Sequence, residues 1–279
     1  MGNREWGIGN REQSKIEIST KSQILSSEIS VTPLLFVTDL DNTLVGDSAA
    51  LEELNRHLER QRQERGTKIV YATGRSLALY QELATEQHLL APDALIVAVG
   101  TEIYYRDSHT PDPSWTEKLS HRWDRELVAA IAAHFADLIP QSDTEQRPFK
   151  ASYYLTEDAA IAVLPRLELE MKERGLDVQL IYSAAKDLDI LPKYGDKGQA
   201  MLFLRQNWGI DATRTVVCGD SGNDISLFSL GDERAIIVGN AQPELLLWYS
   251  INSTPHHYQA KASYAAGILE GLSYFGFLP

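Results

Sequence analysis

The chain has 279 residues, 43% of them apolar, with five Trp and twelve Tyr, enough apolar mass for one large or two moderate globular domains. A net charge of −13 argues against nucleic acid and against an anionic membrane surface as partners, so an anionic ligand needs a local positive site. Its single cysteine, Cys218, excludes an intramolecular disulfide and fits a reducing, cytoplasmic compartment, and no run approaches the roughly 18 apolar residues of a membrane span.

Residues 1–31 are polar and lack the apolar core of a signal peptide; they read as a flexible tail or an over-extended start. The fold is expected to begin near Thr32. The apolar, β-branched run 31–37 predicts a buried parallel strand that ends in Asp39-Leu40-Asp41-Asn42-Thr43. Ligands of open α/β sheets bind just beyond such strand ends. Two carboxylates so close repel each other unless a cation or a shared proton joins them, and a hard, oxygen-liganded ion such as Mg²⁺ suits the pair. Alone, the pattern reads equally as a solvated turn.

Asp47 or Ser48 can cap a helix with Leu51, Leu54 and Leu58 on one face and Gly66 as its stop. Strand 68–72 then leads into Thr73-Gly74-Arg75-Ser76, followed by helix 77–87 and strand 94–99, the βαβ rhythm of a parallel sheet. After Gly100-Thr101-Glu102, residues 103–105 read as a hairpin arm, with Pro111 and Pro113 as chain breaks. Helix 123–138 closed by Pro140, strand 150–155, helix 159–174 interrupted by Pro165, and strands 178–182 and 188–191 make an α+β block. This block is expected to be an inserted cap over 111–192, with the α/β core formed by 32–110 and 193–279. The α/β rhythm resumes with helix 197–206, strand 215–218 ending in Gly219-Asp220-Ser221-Gly222-Asn223-Asp224, helix 225–230 and strand 235–238. Pro243 opens a further helix near its first position, and an apolar helix over 262–277 packs back on the core. His256 and His257 lack metal-ligand spacing and read as surface or packing residues.

Four motifs, DLDNT, TGR, Lys197 leading a helix, and GDSGND, occur in that order, each at a strand end or helix start. Together they resemble the motifs of haloacid-dehalogenase-like phosphatases, which implies a Rossmann-like core with a cap between the second and third motifs. Asp39 is then the expected nucleophile and Asp41 the acid/base, with Lys197 as the catalytic lysine. The implied metal set is Asp39, Asp220, Asp224 and Asp41, the last through its main-chain carbonyl. Thr73, Gly74, Arg75 and Asn223 are the implied phosphate-site residues.

The resemblance runs further. DLDNTLVGD, YATGRS, VGTEIYY, KASYYL, AKDLDILP, DKGQA, VCGDSGNDISLF, NAQPELLLWY and the 264–278 stretch are similar to sucrose-phosphate phosphatases of cyanobacteria and plants, from Thr32 onward. The similarity implies Mg²⁺-dependent hydrolysis of sucrose 6-phosphate through an aspartyl-phosphate, in the short bacterial form. It also admits sucrose-phosphate synthase as a partner. Glu102, Lys150, Ser152, Lys186 and Asp189, with Asp187 behind them, offer polar groups suited to sugar hydroxyls. Two alternatives stay open: a related phosphatase, for example one acting on mannosyl-3-phosphoglycerate, and a non-catalytic sugar-phosphate-binding module.

Overall fold

In a computed structural model the chain is described over residues 1–2 and 33–278. The expected tail, apart from its first two residues, and the expected fold start at Thr32 lie outside the described residues. Strand β1, Leu35–Thr38, is fully buried, as a central parallel strand with both faces covered must be. It begins later than the apolar run in the sequence; Val31 and Thr32 are outside the described residues.

Helix α1, Ser48–Arg65, is capped by Asp47, whose Oδ1 accepts from the amides of Ala49 and Ala50, and it stops at Gly66 in the left-handed region. Strand β2 is Lys68–Ala72, helix α2 Leu77–Glu86, and strand β3 Ala94–Val97. Strand β4, Glu102–Tyr105, turns back antiparallel on β3 after a 3-10 turn at Ala98–Gly100. Pro113 does not break the chain; it is the first residue of helix α3, Pro113–Ser120, a position where its missing N–H costs nothing. Trp115 and Leu119 of this helix pack with Ile103 in the layer beneath the large sheet, although both fall within the expected cap segment.

Helix α4, Arg125–Ala132, is half the expected length, and Pro140 lies in the two-residue strand β5, Ile139–Pro140, instead of closing a helix. Strand β6, Ala151–Tyr154, precedes helix α5, Glu157–Glu173. Pro165 sits well inside α5, on its exposed side, where water can take up the carbonyl that the missing N–H leaves free. Strands β7, Val178–Ser183, and β8, Asp187–Pro192, complete a four-stranded antiparallel sheet in the order β5-β6-β8-β7. One face of this sheet, with Ala151, Tyr153, Leu188 and Ile190, buries against α4 and α5. The opposite face carries Ser152 and Asp189 side by side.

Helix α6, Lys197–Trp208, strand β9, Thr215–Gly219, the single turn α7, Ile225–Phe228, and strand β10, Arg234–Ile237, follow. Helix α8, Pro243–Asn252, short strand β11, His257–Gln259, and helix α9, Tyr264–Tyr274, end the fold. Sequence periodicity missed β11, whose first residue, His257, is buried and bonds the carbonyl of Phe228. The large sheet runs β11-β10-β9-β1-β2-β3-β4, parallel except for β4. Helices α1, α2 and α9 cover one face and α3, α6, α7 and α8 the other. Because β1 lies between β2 and β9, the chain leaves β1 in one direction and returns to its other side later, which opens a crevice at its carboxyl end.

Candidate active site

Three loops meet at that crevice. The β1 loop brings Asp39 and Asp41, the β2 loop Gly74 and Arg75, and the β9 loop Asp220, Ser221 and Asn223, around a cleft of about 420 Å³. The far wall comes from the second sheet and its loops, with Gln141, Glu145, Lys150, Ser183, Ala184, Asp187 and Asp189.

Lys197 is fully buried at the first position of α6. Its Nζ donates to Asp39 Oδ1 at 2.6 Å, Asp224 Oδ1 at 2.7 Å and Asn223 Oδ1 at 2.8 Å, using all three protons. Gly198 makes this approach possible, since a Cβ there would lie 2.1 Å from the carbonyl oxygen of Ser226. Asp224 is equally committed: its Oδ2 accepts from the amides of Asp220 and Ser221 at 3.0 and 3.1 Å, so it shapes the loop that presents Asp220. Gly219 leaves room for it, as a Cβ would meet Asp224 at 2.5 Å. Thr43 donates to Asp220 Oδ1 at 3.0 Å, tying the β1 and β9 loops together.

Carboxylate oxygens of Asp39, Asp220 and Asp224 lie within 4.8 Å of one another, all three residues buried. Three carboxylates against one ammonium leave this pocket short of positive charge. Burial, with Asp224 nearby, lifts Asp39 to about 7 against the pull of Lys197; burial, Asp224 and Asp39 together lift Asp220 to about 8. Burial disfavours the Lys197 ammonium, but Asp224 and Asp39 outweigh it and hold its pKa above the usual lysine range. A compact, all-oxygen, charge-deficient donor set of this kind fits a hard divalent cation.

Asp41 stands apart from the cluster. Arg75 grips both of its oxygens, Nε to Oδ2 at 2.8 Å and Nη2 to Oδ1 at 2.7 Å, on a half-exposed part of the wall. Thr73 is buried and outside the cleft lining; its hydroxyl accepts from the Arg75 amide at 3.1 Å and so fixes the turn. A Cβ at Gly74 would meet Val99 at 3.9 Å, ordinary contact, so protein packing does not require glycine there.

On the far wall, the buried Lys150 donates to Glu145 Oε2 at 3.0 Å and lies 3.6 Å from Asp189 Oδ1, which also accepts from Ser152. Asp187 accepts from Gln141 at 2.9 Å. Ser152 is buried behind the wall, and Lys186 is exposed at the β7–β8 turn, away from the lining. Glu102 does not line the cleft either; it is engaged by Arg147 and Tyr104. Sequence reasoning missed Gln141, Glu145, Ser183 and Ala184, which sit in loops or at strand ends without periodicity, and it missed Arg147.

The family model for sucrose-6F-phosphate phosphohydrolase matches residues 32–276. Sucrose-phosphatase 2 of Nicotiana tabacum is 40% identical over 90% of this chain, which spans 61% of that relative's length. A mannosylfructose-phosphate phosphatase of Agrobacterium fabrum is 33% identical, covering 88% of this chain and 98% of its own. The structure of a Synechocystis sucrose-phosphatase in complex with sucrose and phosphate superposes with a TM-score of 0.83 at 44% identity, covering 89% of this chain and all of that one. The fold is that of the haloacid-dehalogenase-like phosphatases. Among the described residues no helix is long and apolar enough to cross a membrane.

Proposed function

The chain belongs to the sucrose-6F-phosphate phosphohydrolase family, and from that premise we propose that it hydrolyses sucrose 6-phosphate to sucrose and inorganic phosphate, the last step of sucrose synthesis. The observation that carries this reading is the buried Lys197–Asp39 pair at the end of β1, facing a cleft whose far wall is polar. Asp39 attacks phosphorus in line and becomes the aspartyl-phosphate as the bond to the sugar oxygen breaks. Asp41 gives the departing sugar oxygen its proton, then takes one from the water that attacks phosphorus and frees Asp39. Since Arg75 engages both Asp41 oxygens, at least one of them must be released for this, and phosphate oxygens are the natural new partners for the guanidinium. Lys197 holds Asp39 in place and lends positive charge to the phosphoryl group.

Mg²⁺ is the proposed cofactor, held by Asp39, Asp220 and the main-chain carbonyl of Asp41, with Asp224 behind them; when bound, it neutralises charge on the phosphoryl oxygens. The second sheet is the proposed cap, beginning after α3 because Trp115 and Leu119 pack with the large sheet. Lys150, Asp189 and Glu145 present charged groups to sugar hydroxyls, the arrangement by which a site rejects a sugar that leaves them unpaired. A cytoplasmic location and encounter with the synthase that makes the substrate belong to the same proposal.

One observation favours a second reading: similarity over nearly the full length of the Agrobacterium phosphatase makes another fructose-linked disaccharide phosphate a rival substrate. The deciding experiment is phosphate release with Mg²⁺ from sucrose 6-phosphate, mannosylfructose phosphate, mannosyl-3-phosphoglycerate, trehalose 6-phosphate, phosphoglycolate and an aryl phosphate. The highest kcat/KM on sucrose 6-phosphate is the expected result. Preference for another ester overturns the substrate assignment, and no release from any of them overturns the enzyme.

A further inference from the structure

The tip of the second sheet touches the large one at a point the chemistry above does not use. The β7–β8 turn, residues 183–186, closes with the Lys186 amide on the Ser183 carbonyl at 3.2 Å. Its two central residues, Ala184 and Ala185, have φ of 51° and 53°. Turns of this shape ordinarily carry Asn or Gly there, because a Cβ crowds the backbone in the left-handed region. Such a conformation persists where its surroundings over-determine it.

Glu244 supplies those surroundings. It stands in the first turn of α8, and its Oε1 accepts from the Ala184 amide at 3.1 Å and from the Gly222 amide at 3.4 Å. One carboxylate oxygen therefore bridges the tip of the second sheet to the loop that carries Asp220 and Asn223. The base of α8 is itself fastened to that loop, the Gln242 amide donating to the Asp220 carbonyl at 2.7 Å. The junction is tight: a Cβ on Gly222 would lie 3.1 Å from the Tyr182 carbonyl oxygen and 3.2 Å from Glu244 Cγ. Ser183 and Ala184 face the cleft from one side of the junction, Ser221 and Asn223 from the other.

We propose that Glu244 is a positioning residue, a clasp that pins the 183–186 turn against the Gly222 turn and so sets how closely the far wall stands over a bound sugar phosphate. The clasp binds nothing itself. It acts through the wall, and its kinetic consequence rests on the proposed phosphatase reading. A small aryl phosphate that does not reach the far wall should be indifferent to it.

The test compares Glu244→Ala with Glu244→Gln. Both bonds end on a single oxygen, so glutamine can still accept them, whereas alanine cannot. Without any ligand, amide hydrogen exchange across 183–186 should quicken roughly tenfold in Glu244→Ala, the change expected when the Ala184 amide loses its charge-assisted acceptor, and clearly less in Glu244→Gln, whose neutral carbonyl still accepts. KM for sucrose 6-phosphate should rise about tenfold in Glu244→Ala, with kcat/KM for the aryl phosphate within about twofold of the parent. Unchanged exchange in Glu244→Ala, equal damage from Glu244→Gln, or equal loss on both substrates overturns the clasp. A parent protein inert toward sucrose 6-phosphate overturns the functional reading instead, and the exchange rates then decide the clasp by themselves.

Discussion

Arg147 donates to both carboxylate oxygens of Glu102, at 2.7 and 3.1 Å, and so joins the loop before β6 to the edge strand β4 of the large sheet. Tyr104 donates to the same carboxylate at 2.7 Å. Glu102 is buried, so its carboxylate oxygens rely on these partners for hydrogen bonds. Removing Arg147 leaves a buried carboxylate with a hydroxyl alone. Arg147→Ala should lower unfolding stability by about 1.5–3 kcal/mol, and the cycle with Glu102→Gln should give a coupling of about 1 kcal/mol or more. Urea titrations of the four proteins measure it; additive effects would contradict the link.

Lys197 is the only ammonium bonded to Asp39 and Asp224 among the described residues. Lys197→Ala leaves two buried carboxylates without their cation. In EDTA it should cost about 3–5 kcal/mol of stability, and millimolar Mg²⁺ should restore part of that loss. Equal stability of variant and parent in EDTA would contradict the arrangement.

The pH dependence of the metal-free protein follows from the same cluster. Burial raises Asp39 to about 7 and Asp220 to about 8, whereas in the unfolded chain both ionise near pH 4. Between those limits the folded state holds more protons than the unfolded one. Their contribution is fully present below about pH 4 and is lost as pH rises through 7–8. In EDTA the parent's Tm should therefore fall from about pH 5 to about pH 8.5 more steeply than that of Asp220→Asn, and Mg²⁺ should flatten the fall. A parent less sensitive than Asp220→Asn over this range would contradict it.

Lys150 is buried on the far wall, 3.0 Å from Glu145 and 3.6 Å from Asp189. Lys150→Ala should raise KM for sucrose 6-phosphate by roughly tenfold or more and alter an aryl phosphate far less, if the sugar is held at this wall as proposed. Steady-state kinetics on both esters measures it; equal changes would remove Lys150 from the sugar site.

Much of this site was legible because its parts sit where strands end. Runs such as 68–72 and 215–218 are apolar throughout, so strand ends could be placed, and parallel packing then brings loops distant in sequence together. Asp39 and Lys197, 158 residues apart, meet for that reason. The Glu102–Arg147 pair was not legible, because the two residues lie 45 apart and Arg147 sits in a loop whose path no local pattern encodes. Glu145 reaches Lys150 only because the turn at Arg147 folds 145–150 back on itself. Pro113 reads as a break or as a first helical residue from the same local signal, and only the burial of Trp115 decides between them. Residues 133–138 retain helical character in sequence yet form turns, with Phe135 and Leu138 buried in the second sheet's core.

The most direct test of the account is to trap the bond it places on Asp39. In the proposed mechanism Asp41 activates water, so Asp41→Asn should stall release, but an aryl phosphate needs no proton to leave, and phosphorylation should outrun release. The half-exposed Asp41 should be replaceable at a cost within about 1 kcal/mol. Acid quenching of Asp41→Asn with aryl phosphate and Mg²⁺, followed by peptide mass spectrometry, should find a phosphoryl group on Asp39 that is absent when EDTA replaces the metal. A phosphoryl group on another residue, or an unmodified Asp39 during turnover, would contradict the account.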